Sequence, residues 1–269
     1  MTRSSFRFVT ALALSLICAP AAFAQDDAEL KLAEQDFSLV SLPTALRLPK
    51  FKSAFRVTHR FTRPLGDGDF GDLAGDLFGL DSGAQIGLEY RFGIIPSGQI
   101  GFHRTNDKDI MFFGQYGLIR QGKQLPMDVT ILASVDGTNN FQDSYSPSLG
   151  VILSRTFGDR GAIYAEPMWI NNTNPLPKAV VDDNDTIMVG LGARVRIRPT
   201  VYLVGELAPR TGYKPGVNHG SFGIEKRAGG HTFQLNFSDS FATTRRQLAQ
   251  GGLDGDNWYF GFSISRKFF

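Results

Sequence analysis

The chain has 269 residues, 42% of them hydrophobic and 20% charged, with 30 glycines and 23 phenylalanines. Its 28 Lys and Arg face 26 Asp and Glu; residues 1–24 hold Arg3 and Arg7 and no acid, so residues 25–269 carry 26 of each sign and no net pull toward nucleic acid. No later stretch offers the roughly 18 consecutive apolar residues of a membrane helix, and a mean hydropathy of −0.12 suits a barrel in which every second residue meets lipid.

Taken in chain order, Arg3 and Arg7 are followed by an apolar run from Phe8 to Cys18 and by Ala22-Phe23-Ala24, a small-x-small cleavage pattern. This predicts a signal peptide over 1–24 with Gln25 as the first mature residue. The run is shorter than the ~20 residues of a spanning helix, and Ile17 before Cys18 argues against a lipoprotein signal. Cleavage removes the single cysteine, so the mature chain forms no intramolecular disulfide. Residues 25–50 read as an N-terminal extension, charged from Asp26 to Glu34 and broken by Pro43 and Pro49. It is read as a periplasmic extension, with a plug inside the barrel as the alternative.

From Phe51 to Phe269 the period is two, the signature of a strand with one lipid-facing and one lumen-facing row. Phe51, Phe55, Val57 and Phe61 oppose Lys52, Arg56, Thr58 and Arg60, with His59 the polar member of the apolar face. Ala84 to Ile94, Met127 to Val135, Ile187 to Ile197, Phe233 to Phe237 and Trp258 to Ile264 repeat the pattern. Weaker segments lie near 98–105, 109–120, 147–157, 161–170, 200–209 and 218–227. The predicted fold is all-β: a transmembrane antiparallel up-and-down barrel of about twelve strands.

Connection lengths keep step with strand parity. Those at 63–82, 106–108, 138–146, 171–185, 210–217 and 239–256 are mostly long and rich in Asp, Asn and Gly. Those at 95–97, 122–126, 158–160, Pro199 and 228–230 are short. Short periplasmic turns and longer external loops are expected of outer-membrane barrels, with both termini then periplasmic. Phe51, Phe92, Phe157 and Phe268 would mark one membrane interface, and Phe61, Phe102, Trp169 and Trp258 the other. The terminal Phe269 resembles the signal read by the barrel-insertion machinery, although Phe268 is the residue in phase with the lipid-facing row. Outer-membrane lipids and that machinery are the expected partners.

His59-Arg60-Phe61, Phe78-Gly79-Leu80-Asp81, Ile119-Arg120-Gln121 and Gly229-Gly230-His231-Thr232-Phe233-Gln234-Leu235 resemble a bacterial outer-membrane β-barrel family catalogued as a domain of unknown function. The resemblance covers Phe51 to the C-terminus and implies the fold without an activity.

The lumen row carries Arg56, Arg60, Glu89, Arg91, Asp128, Glu166, Arg194, Arg196, Arg198, Glu206, Glu225 and Arg227. The Arg194/Arg196/Arg198 ladder either lines an anion-preferring path or pairs with Glu166, Glu206 and Glu225, the preferred reading because buried charge without a partner is costly. His219 and Ser221, with Glu225 below, have a spacing similar to that of outer-membrane lipid deacylases, in which Ser attacks and His is the base. Gly190-Leu191-Gly192 sits mid-strand, where no helix N-terminus follows to hold phosphate. No cofactor and no metal are expected, since no zinc-ligand spacing occurs; Asp67, Asp69, Asp72 and Asp76 belong to a solvated loop with a short helix near 70–78. The leading function is a non-catalytic outer-membrane barrel serving as a narrow channel, transport or structural component for an unspecified solute. A lipid-modifying hydrolase using His219 and Ser221, and a soluble periplasmic β-rich ligand binder, are the alternatives.

Overall fold

The computed structural model describes residues 32–80, 82–123, 125–174, 184–212, 217–252 and 257–269. The expected leader, the start of the extension and Asp81 lie outside them. The alternating stretches form β1 (Ser53–Pro64), β2 (Ala84–Ile95), β3 (Gly98–Thr105), β4 (Ile110–Ile119), β5 (Asp128–Thr138), β6 (Asp143–Thr156), β7 (Gly161–Ile170), β8 (Thr186–Arg198), β9 (Val201–Ala208), β10 (Arg210–Gly212), β11 (His219–Ala228), β12 (His231–Ser238) and β13 (Tyr259–Phe268). Among the described residues two short α-helices, α1 (Phe70–Gly75) and α2 (Arg245–Gln250), and a 3-10 turn at Leu77–Gly79 interrupt the connections.

Neighbouring strands pair antiparallel in sequence order, and β1 pairs β13, so the sheet closes on itself. Closure leaves no open edge, the condition for burying a sheet in hydrocarbon. The thirteen segments make twelve staves. Leu207 of β9 faces Leu191 and Arg210 of β10 faces Met188 in one continuous register on β8. Pro209, which lacks an N–H, divides them, yet its carbonyl still accepts from Val189 N at 2.9 Å.

The short connections gather at one rim, where β1 begins and β13 ends; the longer ones gather at the other. These are called the turn rim and the loop rim. One long connection is tighter than predicted. β6 starts at Asp143, and Asn139, Asn140 and Phe141 turn with φ of 51°, 59° and 63°. In the first loop the acids cap α1: Asp69 Oδ1 accepts from Gly71 N (2.7 Å) and Asp72 N (3.0 Å), and Asp72 Oδ2 accepts from Asp69 N (3.0 Å). This satisfies orphan donors of the helix start.

Outward positions form a greasy belt. Leu88, Ile100, Phe112, Ile131, Leu149, Ile163, Ile187, Leu203, Phe222 and Leu235 are all exposed. So wide an apolar surface marks a membrane-facing wall rather than that of a soluble monomer. Inward positions bury polar groups together with an apolar patch: Leu132, Ile152, Tyr164, Met168, Ile170, Met188 and Val204.

That patch has a partner. Residues 32–48 lie inside the barrel as a tight hairpin, with Ser38 bridging Pro43, Leu39 N donating to Leu42 O (2.8 Å) and Thr44 N donating to Phe37 O (2.9 Å). Leu39, Val40, Leu42 and Ala45 join the apolar cluster from within. Gly190 and Gly192 make room for them. A Cβ at Gly190 would stand 2.9 Å from Leu42 Cδ1, and one at Gly192 would collide with Leu39 Cδ1. From the loop rim the connection carrying α2 folds inward, adding Ala242, Leu248 and Ala249 to the same cluster.

Candidate functional site

The site is the barrel interior, filled by the 32–48 segment (the plug) from one end and by 239–252 (the cap) from the other. Nine of the twelve charged residues expected in the lumen are buried there: Arg56, Arg60, Glu89, Arg91, Asp128, Glu166, Arg194, Glu206 and Glu225. The other three are not. Arg196 and Arg227 are half-buried and Arg198 is exposed, because β8 and β11 reach the turn rim there. Arg196 hooks back onto Pro199 O at 3.0 and 3.2 Å. The expected Arg ladder therefore places only Arg194 in the interior.

The strands present these groups inward by parity, and the plug backbone receives them. Glu206 of β9 takes the N–H groups of Val40 (3.0 Å), Ser41 (2.8 Å) and Leu42 (3.0 Å), and its Oε1 also accepts from Ser221 Oγ (2.8 Å). One carboxylate thus caps the whole hairpin turn. Arg194 makes a fork on Glu225, Nε to Oε2 at 2.8 Å and Nη2 to Oε1 at 3.1 Å, and donates as well to Ser38 O (2.7 Å) and Asp36 O (3.3 Å). Glu225 also accepts from Gln35 Nε2 (2.7 Å) and Gln234 Nε2 (2.9 Å).

Arg56 reaches Val40 O (3.0 Å) and Leu39 O (3.3 Å). Arg60 spans both insertions, with Nη2 on Ser41 Oγ (2.9 Å) and Nη1 on Ser240 O (3.4 Å). Lower down, Ser265 donates to Asp36 Oδ2 (2.8 Å), Tyr164 to Glu34 Oε1 (3.0 Å) and Lys267 to Gln35 O. Charge-assisted bonds contribute about 1.5–3 kcal/mol each, so the wall holds the plug through many separable contacts.

The cap is tied chiefly to the rim of β3–β5. Arg246 pairs with Asp109 (2.5 Å), Gln247 donates to Asp109 (3.0 Å) and Asp107 (3.1 Å), and His103 Nε2 meets Thr243 Oγ1 at 3.2 Å. Burial raises the Asp109 carboxyl above its usual range, with Arg246 pulling it back down. Arg245, the first residue of α2, is buried, and its Nε and Nη2 have no hydrogen-bond partner among the described residues. Burial, then the nearby Arg91, lowers its proton affinity. On β7 both oxygens of Glu166 are likewise without a hydrogen-bond partner among the described residues, although the carboxylate is fully buried.

His219 and Ser221 share the lumen face but not a hydrogen bond. His219 Nδ1 is 2.7 Å from Asp239 Oδ1 and its Nε2 is 3.4 Å from Glu206 Oε1, while the Ser221 hydroxyl donates to Glu206. Both imidazole nitrogens face carboxylates, so neither is turned toward the Ser221 hydroxyl as a base must be. Glu225 belongs to Arg194. The pairing instead fastens β11 to the cap, since Asp239 also accepts from Gly220 N. Among the described residues no group of three His, Cys, Asp or Glu is placed to hold a metal ion.

Phe51, Phe157 and Phe268 are exposed at the turn rim, where Phe51 lies 6.5 Å from the half-buried Phe92. Phe102, Trp169 and Trp258 are exposed toward the loop rim. Phe61 departs from the expected interface belt. It is only 2% exposed, stacked on Phe260 at 5.7 Å beneath the turn at Leu77–Gly79. Phe268 faces outward, whereas Phe269 packs against Phe37, Leu46, Leu48 and Ala54 at the mouth. The one-residue slip in the terminal pattern thus reflects two jobs, one ring on the membrane face and one on the plug.

Sequence reasoning missed the cap and the plug's anchors Gln234, Lys267 and Tyr164. The signal for an apolar object in the lumen was present. Leu132 breaks the inward series Asp128, Thr130, Ser134, and Met168 and Met188 do the same on β7 and β8.

Among solved structures the fold is similar to that of the NanC porin, with a TM-score of 0.54 at 9% identity, covering 81% of this chain and 99% of that one. Engineered variants of the Rhodopseudomonas blastica porin align with TM-scores of 0.35 to 0.36 at 10 to 11% identity, over 68% of this chain and 55% of theirs. No curated protein matches. A family model matches residues 35–268, plug and barrel together, and by it the chain belongs to the membrane-bound β-barrel domain family DUF5777.

Proposed function

We propose that the protein is an integral, non-catalytic barrel of the outer membrane, exported through a cleaved leader, that acts as a narrow channel gated by its own N-terminal segment. In this reading the turn rim faces the periplasm, and the final strand engages the insertion machinery with Phe268 toward lipid. The observation that carries it is the way the plug is held. Glu206, Arg194, Arg56, Arg60 and Gln234 grip the plug's main chain through hydrogen bonds, each worth only about 0.5–3 kcal/mol net, so they can be exchanged for water one at a time. A purely structural filling would gain more from apolar packing, and here the apolar contact is confined to two patches, one on the lumen wall and one at the turn-rim mouth. The porin likeness of the fold agrees with a conducting role.

Planar-bilayer recording tests it. The intact protein should give small, infrequent openings. Glu206→Ala removes the acceptor for the hairpin turn and should raise open probability several-fold. Equal, silent traces from both proteins would overturn the channel reading.

A further inference from the structure

We infer that the lipid-facing wall of β9 and β11–β13 carries a binding site for one anionic phospholipid of the periplasmic leaflet. This holds whether or not the lumen conducts; only the choice of leaflet rests on the orientation proposed above. The wall bears a groove of about 400 Å³ lined by Val201, Ile224, Phe233, Leu235, Phe262 and Ile264. Strand register explains it. Leu203, Ile224, Leu235 and Phe262 form one lateral row and Val201, Lys226, Phe233 and Ile264 the next toward the turn rim. A furrow with an apolar floor at this depth takes an acyl chain.

The headgroup preference comes from the row beyond these. His231 is paired with Arg266 in the register, and Arg266 Nη1 donates to His231 Nε2 at 3.3 Å. The Arg266 guanidinium also lies 5.3 Å over the Phe268 ring, which fixes it against the wall. Lys226 stands one rung above. Both cations are exposed, and no outward position of β9 or β11–β13 carries Asp or Glu. Two cations and a histidine, with no acid at an outward position of these strands, form a patch for a phosphodiester with net negative charge. It begins in the furrow's rimward row, where Lys226 lines it, and continues beyond it at Arg266 and His231. Basic pockets at membrane-facing walls select acidic headgroups by this complementarity. A cation at a membrane interface usually serves as a nonspecific anchor, and the molecule supplies its own control. Arg155 of β6 lies 5.4 Å over Phe157 just past the strand's end, the same ring-and-guanidinium arrangement away from this groove.

The test is native mass spectrometry of the detergent-solubilised, folded full mature chain titrated with phosphatidylglycerol, phosphatidylethanolamine or lipid A. We expect one phosphatidylglycerol retained about tenfold better than phosphatidylethanolamine. The preference should vanish in Lys226→Gln/Arg266→Gln and persist in Arg155→Gln. Leu235→Trp, which fills the furrow and leaves the cations in place, should weaken both phospholipids together. Folding of each variant is checked by its heat-modifiable gel mobility. Equal retention of the two phospholipids by the unaltered protein, an equal loss in Arg155→Gln, or a preference for lipid A would each overturn the site.

Discussion

The two walls of the lumen treat the plug differently. The wall built from β8, β9, β11–β13 and β1 is committed to it. Arg194, Glu206, Gln234, Arg56, Arg60 and Lys267 all bond plug atoms. Across β2–β7 fewer strand side chains bond the plug's main chain, Gln99 to Leu46 O and Leu48 N, with Arg91 on Ser38 Oγ, Tyr164 on Glu34 and Arg47 reaching Ser97, Ile119 O and Asp128. The contact there is in large part the apolar packing on Leu132, Ile152, Met168 and Ile170. Buried atoms without a hydrogen-bond partner among the described residues are more numerous there, including Gln85 Nε2, Thr130 Oγ1, Asp136 Oδ2 and both Glu166 oxygens, than on the committed wall, where Arg56 Nε, Arg60 Nε, Thr232 Oγ1 and Asn236 Oδ1 also lack one. This asymmetry indicates where a path would open. In the gating proposed above, a plug hinged on the committed wall would leave the other one, uncovering its apolar patch at a hydrophobic cost while the unmatched polar groups there gain hydration.

Several substitutions probe the asymmetry. The strongest response is expected from Gly192→Val, whose side chain would occupy the space of Leu39. The plug cannot seat, and single-channel recordings should show a persistently open pore. Leu39→Gly in the same chain should restore closure. Next comes the Arg194–Glu225 fork, fully buried on both sides. Arg194→Met alone strands a buried carboxylate and should cost about 3–5 kcal/mol in urea unfolding from vesicles, whereas Arg194→Met with Glu225→Leu should recover most of that loss. The weakest response belongs to the opposite wall. Glu166→Gln replaces an unmatched buried carboxyl with a neutral amide and should leave stability unchanged or raise it by about 1 kcal/mol in the same assay. Should Glu166→Gln prove as costly as Arg194→Met, the two walls are not distinct.

Much of the barrel was legible in sequence, because strand period and loop parity repeat over most of the chain and each strand restates the rule. Even the break in β9–β10 falls at a proline. The interior was legible only in part. Parity alone sends Arg194 and Glu206 inward, but it says nothing about what meets them. The plug follows no period: Pro43 and Pro49 interrupt it, and the wall binds its main chain, so side-chain identity is a weak guide. The cap was hidden for a related reason. The capping box of Thr244 and Gln247 on α2 lies within a long polar loop whose length suggested solvent rather than a return into the lumen. His219 and Ser221 illustrate the opposite failure. Their spacing suggested chemistry, yet two carboxylates, Asp239 and Glu206, use them as fasteners.

Whether the plug is seated in the membrane-inserted protein can be read from the accessibility of Val40, buried at the plug's tip. Val40→Cys in residues 25–269, which hold no other cysteine, reconstituted in vesicles, is exposed to a charged maleimide and its labelling followed by mass. A plug seated in the lumen predicts labelling at least about a hundredfold slower than in urea, in line with the protection of a buried, locally stable segment, and sharply accelerated by adding Glu206→Ala. Labelling of the folded, inserted protein at the unfolded rate would place the segment outside the barrel, and the plugged lumen would have to be abandoned.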